Sequence, residues 1–365
     1  MKYDLTQARK CIETLDKRRF DRALLGSGDA FRHIVSLVPL LLHLNHPALP
    51  GYVEDAPAGI ADFILSNYQQ NFLSKEHPEL VEDVQSAVNS DAVFTPILGI
   101  YVMGSFGSIS QTSASDLDIW ICHQDDLSEQ DQQRLAEKTK KITQWASTFH
   151  VEMHFYLMTQ KRFRNERYSD PLTKENSGSA QYMLLLEEFY RSAVRLSGKP
   201  LLWLHLWVED EKQYEAEVAR LVAEGELNPN DWVDFGGLGQ FSASEYFGAS
   251  LWQLYKGIDS PYKSVMKILL LETYAQEYPN AHLIARQFKE DLLSGRSTAA
   301  HHFDPYIAIL ERISQYLTAH SEFKRLDFVR SCFYVKATED FALYHASNWR
   351  ISYMKMMAQE WGWSK

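Results

Sequence analysis

Cysteine is scarce in this chain of 365 residues: Cys11, Cys122 and Cys332 lie far apart and no Cys-x-x-Cys occurs. That argues against a disulfide framework or a zinc–thiolate site and fits a reducing compartment. Long apolar runs are also lacking, since the stretch Ile34 to Leu44 is too short to span a bilayer. Positive charge is in deficit, with 37 Lys and Arg against 48 Asp and Glu and a net charge of -11. Binding to a nucleic-acid backbone rests on clustered Lys and Arg, so a polyanionic substrate is disfavoured, whereas a small nucleotide held by metal ions is not. A Gly-x-x-x-x-Gly-Lys-Ser/Thr loop occurs nowhere, which argues against a P-loop NTPase. The opening residues, Met1-Lys-Tyr-Asp-Leu-Thr6, lack the apolar core of a signal peptide, so a cytoplasmic protein is expected. No fixed-period repeat or low-complexity tract is present. What remains is a globular composition, 45% hydrophobic and 13% aromatic, in a chain long enough for two domains or one domain with extensions.

The most informative stretch runs from Ile97 to Cys122. An apolar strand, Ile97 to Met103, enters a Gly- and Ser-rich turn, and a second apolar strand opens with Asp116 and Asp118. Strand residues i and i+2 share a face roughly 6–7 Å apart, so both carboxylates point one way while Leu117, Ile119 and Ile121 point into a core. Two such charges repel by roughly 3 kcal/mol at an effective dielectric near 20. A cation removes that cost, and hard oxygen ligands suit Mg²⁺. Gly104 permits backbone conformations closed to other residues, the amides of the turn can form an anion nest, and Ser105 and Ser108 add hydroxyl donors. A phosphate there would lie beside a metal on Asp116 and Asp118, the arrangement of two-metal nucleotidyl transfer. Val151 to Leu157 reads as a further strand. If it pairs beside the Asp116 strand, Glu152 supplies a third carboxylate; otherwise Glu152 is a solvated edge residue.

Other residues are open to two readings. Ser115 can orient Asp116 by hydrogen bonding. Trp120 shares the face of the two aspartates and can pack near the nucleotide or simply fill core. Lys256 and Lys263 flank a Gly-Ile-Asp-Ser-Pro-Tyr segment, and Lys263 and Lys267 lie one turn apart on a helix that Pro261 can start. They suit a triphosphate or a solvated basic edge. Lys199 follows Gly198, read as the stop of a helix from Gln181 to Leu196; it is a phosphate contact or an ordinary helix C-terminal cation. Arg191 and Arg195, one turn apart on that helix, can face the site or solvent. His123 and His154 sit near the site without being needed for two-metal chemistry, and the His301-His302 pair reads as surface.

A Gly-Ser followed by Asp-x-Asp on a strand, then a later strand acid, resembles the polymerase-β-type nucleotidyltransferase superfamily. Four longer segments are more specific: Tyr101-Val-Met-Gly-Ser, Ser115-Asp-Leu-Asp-Ile-Trp-Ile-Cys-His123, Glu188-Phe-Tyr-Arg-Ser-Ala-Val-Arg-Leu-Ser-Gly-Lys199 and Tyr246-Phe-Gly-Ala-Ser-Leu-Trp-Gln-Leu-Tyr-Lys-Gly-Ile-Asp-Ser-Pro-Tyr-Lys263. Together they resemble the class I adenylate cyclases of gammaproteobacteria, from the Arg19-Phe-Asp-Arg-Ala segment to Trp361-Gly-Trp. Phe106-Gly107 departs from the small hydroxyl residues often found there in that family. The resemblance implies conversion of ATP to 3′,5′-cyclic AMP and pyrophosphate. It implies two Mg²⁺ ions, or Mn²⁺ in their place, on Asp116, Asp118 and Glu152. Contacts to the nucleotide would come from Gly104, Ser105, Ser115, Trp120, Lys199, Lys256, Lys263 and Lys267. Members usually carry a long C-terminal region through which the sugar phosphotransferase system acts as regulator. This chain, ending at Lys365, is expected to be the catalytic part, with no nucleic-acid partner and no membrane span.

The expected fold is α+β: a polymerase-β-like core, with a short mixed sheet and helices on one face, plus a C-terminal all-helical domain. The expected divisions are 1–95, an N-terminal helical segment and connector with Arg and Lys on the outer faces of its helices; 96–208, the catalytic core; and 209–365, a helical domain contributing to the nucleotide site. Pro200 to Trp207 reads as an additional strand. Residue chemistry alone reaches only metal-dependent nucleotidyl transfer. The rivals are transfer to a separate acceptor and an inactive nucleotide-binding module, which the intact Asp-x-Asp weakens.

Overall fold

The computed structural model describes residues 5–25, 27–82, 84, 95–112, 115–165, 182–239, 241–295, 301–339 and 348–363. Four strands, β1 (Ile97–Met103), β2 (Leu117–His123), β3 (Met153–Met158) and β4 (Val194–Gly198), form one sheet in the order β3-β2-β1-β4. β1 is antiparallel to β2 and β4, and β2 is parallel to β3, so the sheet is mixed as expected.

In chain order the helices before the sheet are α1 (Leu5–Leu25), α2 (Asp29–His43) and α3 (Asn67–Glu76). Within the sheet unit come α4 (Glu129–Ser147), α5 (Gln160–Asn165) and α6 (Tyr182–Ser192). After it run α7 (Leu202–His205), α8 (Tyr214–Ala223), α9 (Ala243–Lys256), α10 (Pro261–Gln276), α11 (Ile284–Ser294), α12 (Pro305–Ala319), α13 (Phe323–Thr338) and α14 (Asn348–Glu360). Proline at the first position of α10 and α12 starts each helix where a missing amide costs nothing.

Both faces of the sheet are covered, not one. Ile100, Val102, Ile119 and Ile121 pack with Ile34, Leu37 and Leu41 of α2 and Leu135 and Ile142 of α4. On the other face Tyr101, Trp120, Cys122 and Met158 join Phe189, Trp203, Phe235, Met266, Ile307 and Phe333, in one apolar cluster that runs into the C-terminal helices. The sign was in β1 itself: all seven residues are buried, as in strands covered on both sides.

Three local expectations change. The segment read as one helix from 181 to 196 ends at Ser192, and Val194–Gly198 is the edge strand β4. Pairing with β1 overrides helical spacing there. Pro200 to Trp207 contains the short helix α7 with a bridge from Leu201 to Val233, not a strand of the sheet. On α1, Arg19 is buried instead of lying on an outer face. Its guanidinium donates to Ala193 O at 3.4 Å, Arg191 O at 3.0 Å and the carbonyl of Phe303, so it ties α1 to the end of α6, to the link into β4 and to the entry of α12.

Candidate active site

The turn between β1 and β2 is held from several directions. Gly104 has φ +87 and its amide donates to Ser192 Oγ at 3.1 Å. Gly107 has φ +69 and passes so close to α1 that a Cβ would lie 2.3 Å from Arg19 O. Glycine is therefore required at this point. The Gly107 amide donates to Gln111 Oε1 at 2.7 Å. Ile109 is gripped by the C-terminal helices on both sides. Its amide donates to Asp304 Oδ2 at 2.7 Å, and its carbonyl accepts from Arg350 Nε at 3.1 Å. The Ser108 hydroxyl donates to Ser105 O at 2.7 Å, so Ser108, expected to offer a donor to phosphate, braces the turn instead. The amides of Ser105 and Phe106 and the Ser105 hydroxyl enter no hydrogen bond among the described residues. The anion nest expected over the whole turn narrows to these three donors.

Asp118 is the second residue of β2, opposite Met103, and Asp116 lies just before the strand. The ideal Cβ position on Gly104 is 3.9 Å from Asp118 Oδ2, which sets the turn beside the carboxylate with open room. Burial, and then the charge of Asp116, push Asp118 up to about 6, against the opposing fields of Lys263, His154 and Lys267. Tyr156 Oη donates to Asp118 Oδ1 at 3.4 Å. The ammonium of Lys263 is held above the usual lysine range by Tyr306 first and, despite burial, by Asp116 and Asp118. Its Nζ lies 5.8 Å from the Tyr306 ring centre. Lys267, one turn on, pairs with Glu188 Oε1 of α6 at 2.7 Å. The structure thus brings together Gly104, Ser105, Asp116, Asp118, Lys263 and Lys267.

It does not bring in the rest. β3 does pair beside β2, with His154 opposite Asp118. Glu152, however, precedes the strand with its side chain 71% exposed and Oε1 3.2 Å from His154 Nε2. Ser115 Oγ accepts from the Thr112 amide at 3.0 Å and closes a turn, in place of the expected bond to Asp116. Trp120 is core: it stacks on Phe189 at 4.1 Å and meets Phe235 edge-on at 5.8 Å. Lys199 follows β4 at the far end of the sheet, where its amide donates to Leu98 O at 2.8 Å. Five residues of β1 separate that end from Gly104, about 17 Å. Lys256 ends α9 with Nζ 5.4 Å from the Trp252 ring centre. Arg191 is buried against Glu187, and Arg195 lies 3.3 Å from Glu13. His123 contacts Gln124 O at the far end of β2, and His302 pairs with Asp291 Oδ2 at 2.7 Å, so it is not merely surface.

Glu188 is the site acid that sequence reading passed over. Burial would raise it, but Lys267, Arg191 and Lys263 hold it down at about 2. Among the described residues, no three His, Cys, Asp or Glu side chains converge to hold an ion. Asp116 and Asp118 still fit a divalent cation, because the strain that burial and mutual repulsion place on Asp118 is what such a charge relieves.

Comparison with known proteins shows the family. A family described as adenylate cyclase NT domain matches residues 4–204, and one described as adenylate cyclase, class-I, second domain matches 241–365. The chain is 69% identical to an adenylate cyclase of Haemophilus influenzae and 59% identical to one of Pasteurella multocida, in each case over all of this chain and 44% of the relative. It is 44% identical to the adenylate cyclase of Escherichia coli K12 over 97% of this chain and 41% of that protein. The chain therefore spans less than half the length of these relatives. No solved structure matches it. With both family domains in place along its length, the chain belongs to the class I adenylate cyclase family.

Proposed function

We propose that this chain carries the catalytic site of a cytoplasmic adenylate cyclase, which converts ATP to 3′,5′-cyclic AMP and pyrophosphate on a polymerase-β-like core. The observation that carries the reading is the pair of carboxylates, Asp116 and Asp118, facing two lysines from a different part of the chain. Asp116 and Asp118 would hold Mg²⁺, and a Glu152 turned off His154 would complete the set. Bound there, the ions would supply a lowered pKa for the ribose 3′-hydroxyl and charge compensation on the phosphates.

The remaining work falls to the chain itself. Lys263 and Lys267 draw the β- and γ-phosphates toward the first turn of α10 and offset the charge that grows on pyrophosphate. The free amides of Ser105 and Phe106 and the Ser105 hydroxyl donate to a phosphate oxygen beside Asp118. Because the Asp304 and Arg350 grips on Ile109 fix the turn before substrate arrives, these donors need no reorganisation. Acceptor and donor belong to one molecule, so the site must fold the ribose over the α-phosphate. Product identification tests the reading. Purified chain with ATP and Mg²⁺ is expected to yield cyclic AMP and pyrophosphate by mass spectrometry, with both lost in Asp116→Asn. AMP joined to protein or to an added acceptor, or ATP left intact, would contradict it.

A further inference from the structure

The last turn of α6 joins the two halves of the site. Gly104 N–H donates to Ser192 Oγ at 3.1 Å, and the Ser192 hydroxyl donates to Glu188 O at 2.7 Å. The Glu188 side chain reaches the other way, to Lys267 Nζ at 2.7 Å, with side chains only 16% and 21% exposed. One helical turn therefore registers the phosphate turn by its backbone and the basic helix by its carboxylate. Arg191, 3.9 Å from Glu188, is engaged mainly by Glu187, which also accepts from Tyr274 Oη and the Ala285 amide, each at 3.1 Å. Lys267 is thus the partner that Glu188 serves.

We propose that Glu188 is a positioning residue, holding Lys267 beside Lys263 so that both ammonium groups face the triphosphate end of the nucleotide. The inference rests on the nucleotide site proposed above. Two lysines one turn apart repel and carry long, flexible stems, and the Glu188 carboxylate, 2.7 Å from Lys267 Nζ, fixes one of the two. An ammonium has three donors, so Lys267 can keep Glu188 and still donate to phosphate. The carboxylate touches neither substrate nor reacting atoms; it acts through Lys267.

Titration calorimetry with Mg·ATP and with AMP, on wild type, Glu188→Gln, Lys267→Gln and the double variant, tests this. Glu188→Gln keeps the shape of the side chain and removes its charge. Each single change is expected to weaken Mg·ATP by about tenfold, the value of one charge-assisted hydrogen bond. The double variant should be no weaker than Lys267→Gln alone. AMP, which lacks the β- and γ-phosphates, should bind all four alike, and in turnover kcat/KM for ATP should fall about tenfold in each single variant. Losses that multiply in the double variant, an equal loss for AMP, or wild-type affinity in Glu188→Gln would overturn the assignment. If Mg·ATP binds with the expected pattern but no cyclic AMP forms, the positioning role stands and the cyclase reading falls. If wild type binds no Mg·ATP, both fall.

Discussion

The two ends of β1 each carry a left-handed glycine close by, and the two glycines do opposite things. At Gly104 a Cβ would find nothing nearer than Asp118 Oδ2 at 3.9 Å, so the missing side chain leaves space next to a carboxylate. At Gly198, opposite Gly99, a Cβ would sit 2.5 Å from Leu98 O and 2.6 Å from Gly99 Cα, so the missing side chain allows two backbones to touch. Charge follows the same division. Lys263 and Lys267 come from α10 to face the acids at the first end. At the second end a cavity of about 10 Å³, room for about one water, is lined by Asp16, Tyr101, Arg195 and His205. There burial pushes Asp16 up to about 7 against Arg195 and Arg19, and holds His205 down to about 4. Buried ionisable groups are common to both ends; among the described residues, open room beside a carboxylate and lysines from a distant helix mark the first.

Substitutions can break this contrast, and glycine replacement is expected to do most. Gly198→Ala should cost about 3 kcal/mol or more, from overpacking added to a left-handed Cβ. Gly104→Ala should cost only about 1–2 kcal/mol, from its backbone conformation alone. Chemical denaturation of both variants checks the difference, and equal losses would erase it. Next, Asp118→Asn should lower cyclic AMP formation by about a hundredfold or more while the fold survives. Near-wild-type turnover in the purified variant would remove Asp118 from the site. A smaller effect, about a tenfold fall in kcat/KM for ATP, is expected for Lys263→Ala. The least is expected for Lys199→Ala and Lys256→Ala, which should stay within about twofold of wild type, as surface cations do. A tenfold loss in Lys199→Ala would move the site toward the far end of the sheet.

Much of this was legible in the sequence because local rules and tertiary packing agree. The Asp-x-Asp strand, the Gly-Ser turn and the proline-started α10 each obey a short-range pattern, and the structure places all three at one end of the sheet. The misreadings share another cause. Val194 to Gly198 continues the apolar spacing of α6, and only its pairing with β1 makes it a strand, which carries Lys199 to the end of the sheet away from Asp116 and Asp118. Glu188 drew no notice as a site residue, because its partner, Lys267, is 79 residues away. Arg19 looked exposed for the same reason, since its acceptors are backbone carbonyls at the end of α6, at Ala193 before β4, and at the α12 entry. Trp120 could be core or nucleotide contact from its strand position alone. Phe189 and Phe235, which decide for core, come from elements placed against it only by the fold.

Hydrogen exchange with and without Mg²⁺ and a non-hydrolysable ATP analogue tests the central claim most directly. The account predicts slowed exchange at the amides of Ser105 and Phe106, which make no hydrogen bond among the described residues, and in the first turns of α10 around Lys263. Peptides covering Arg195 to Lys199 should exchange alike with and without the nucleotide. Protection at Arg195 to Lys199, with none at Ser105 and Phe106, would place the nucleotide at the other end of the sheet and contradict the account.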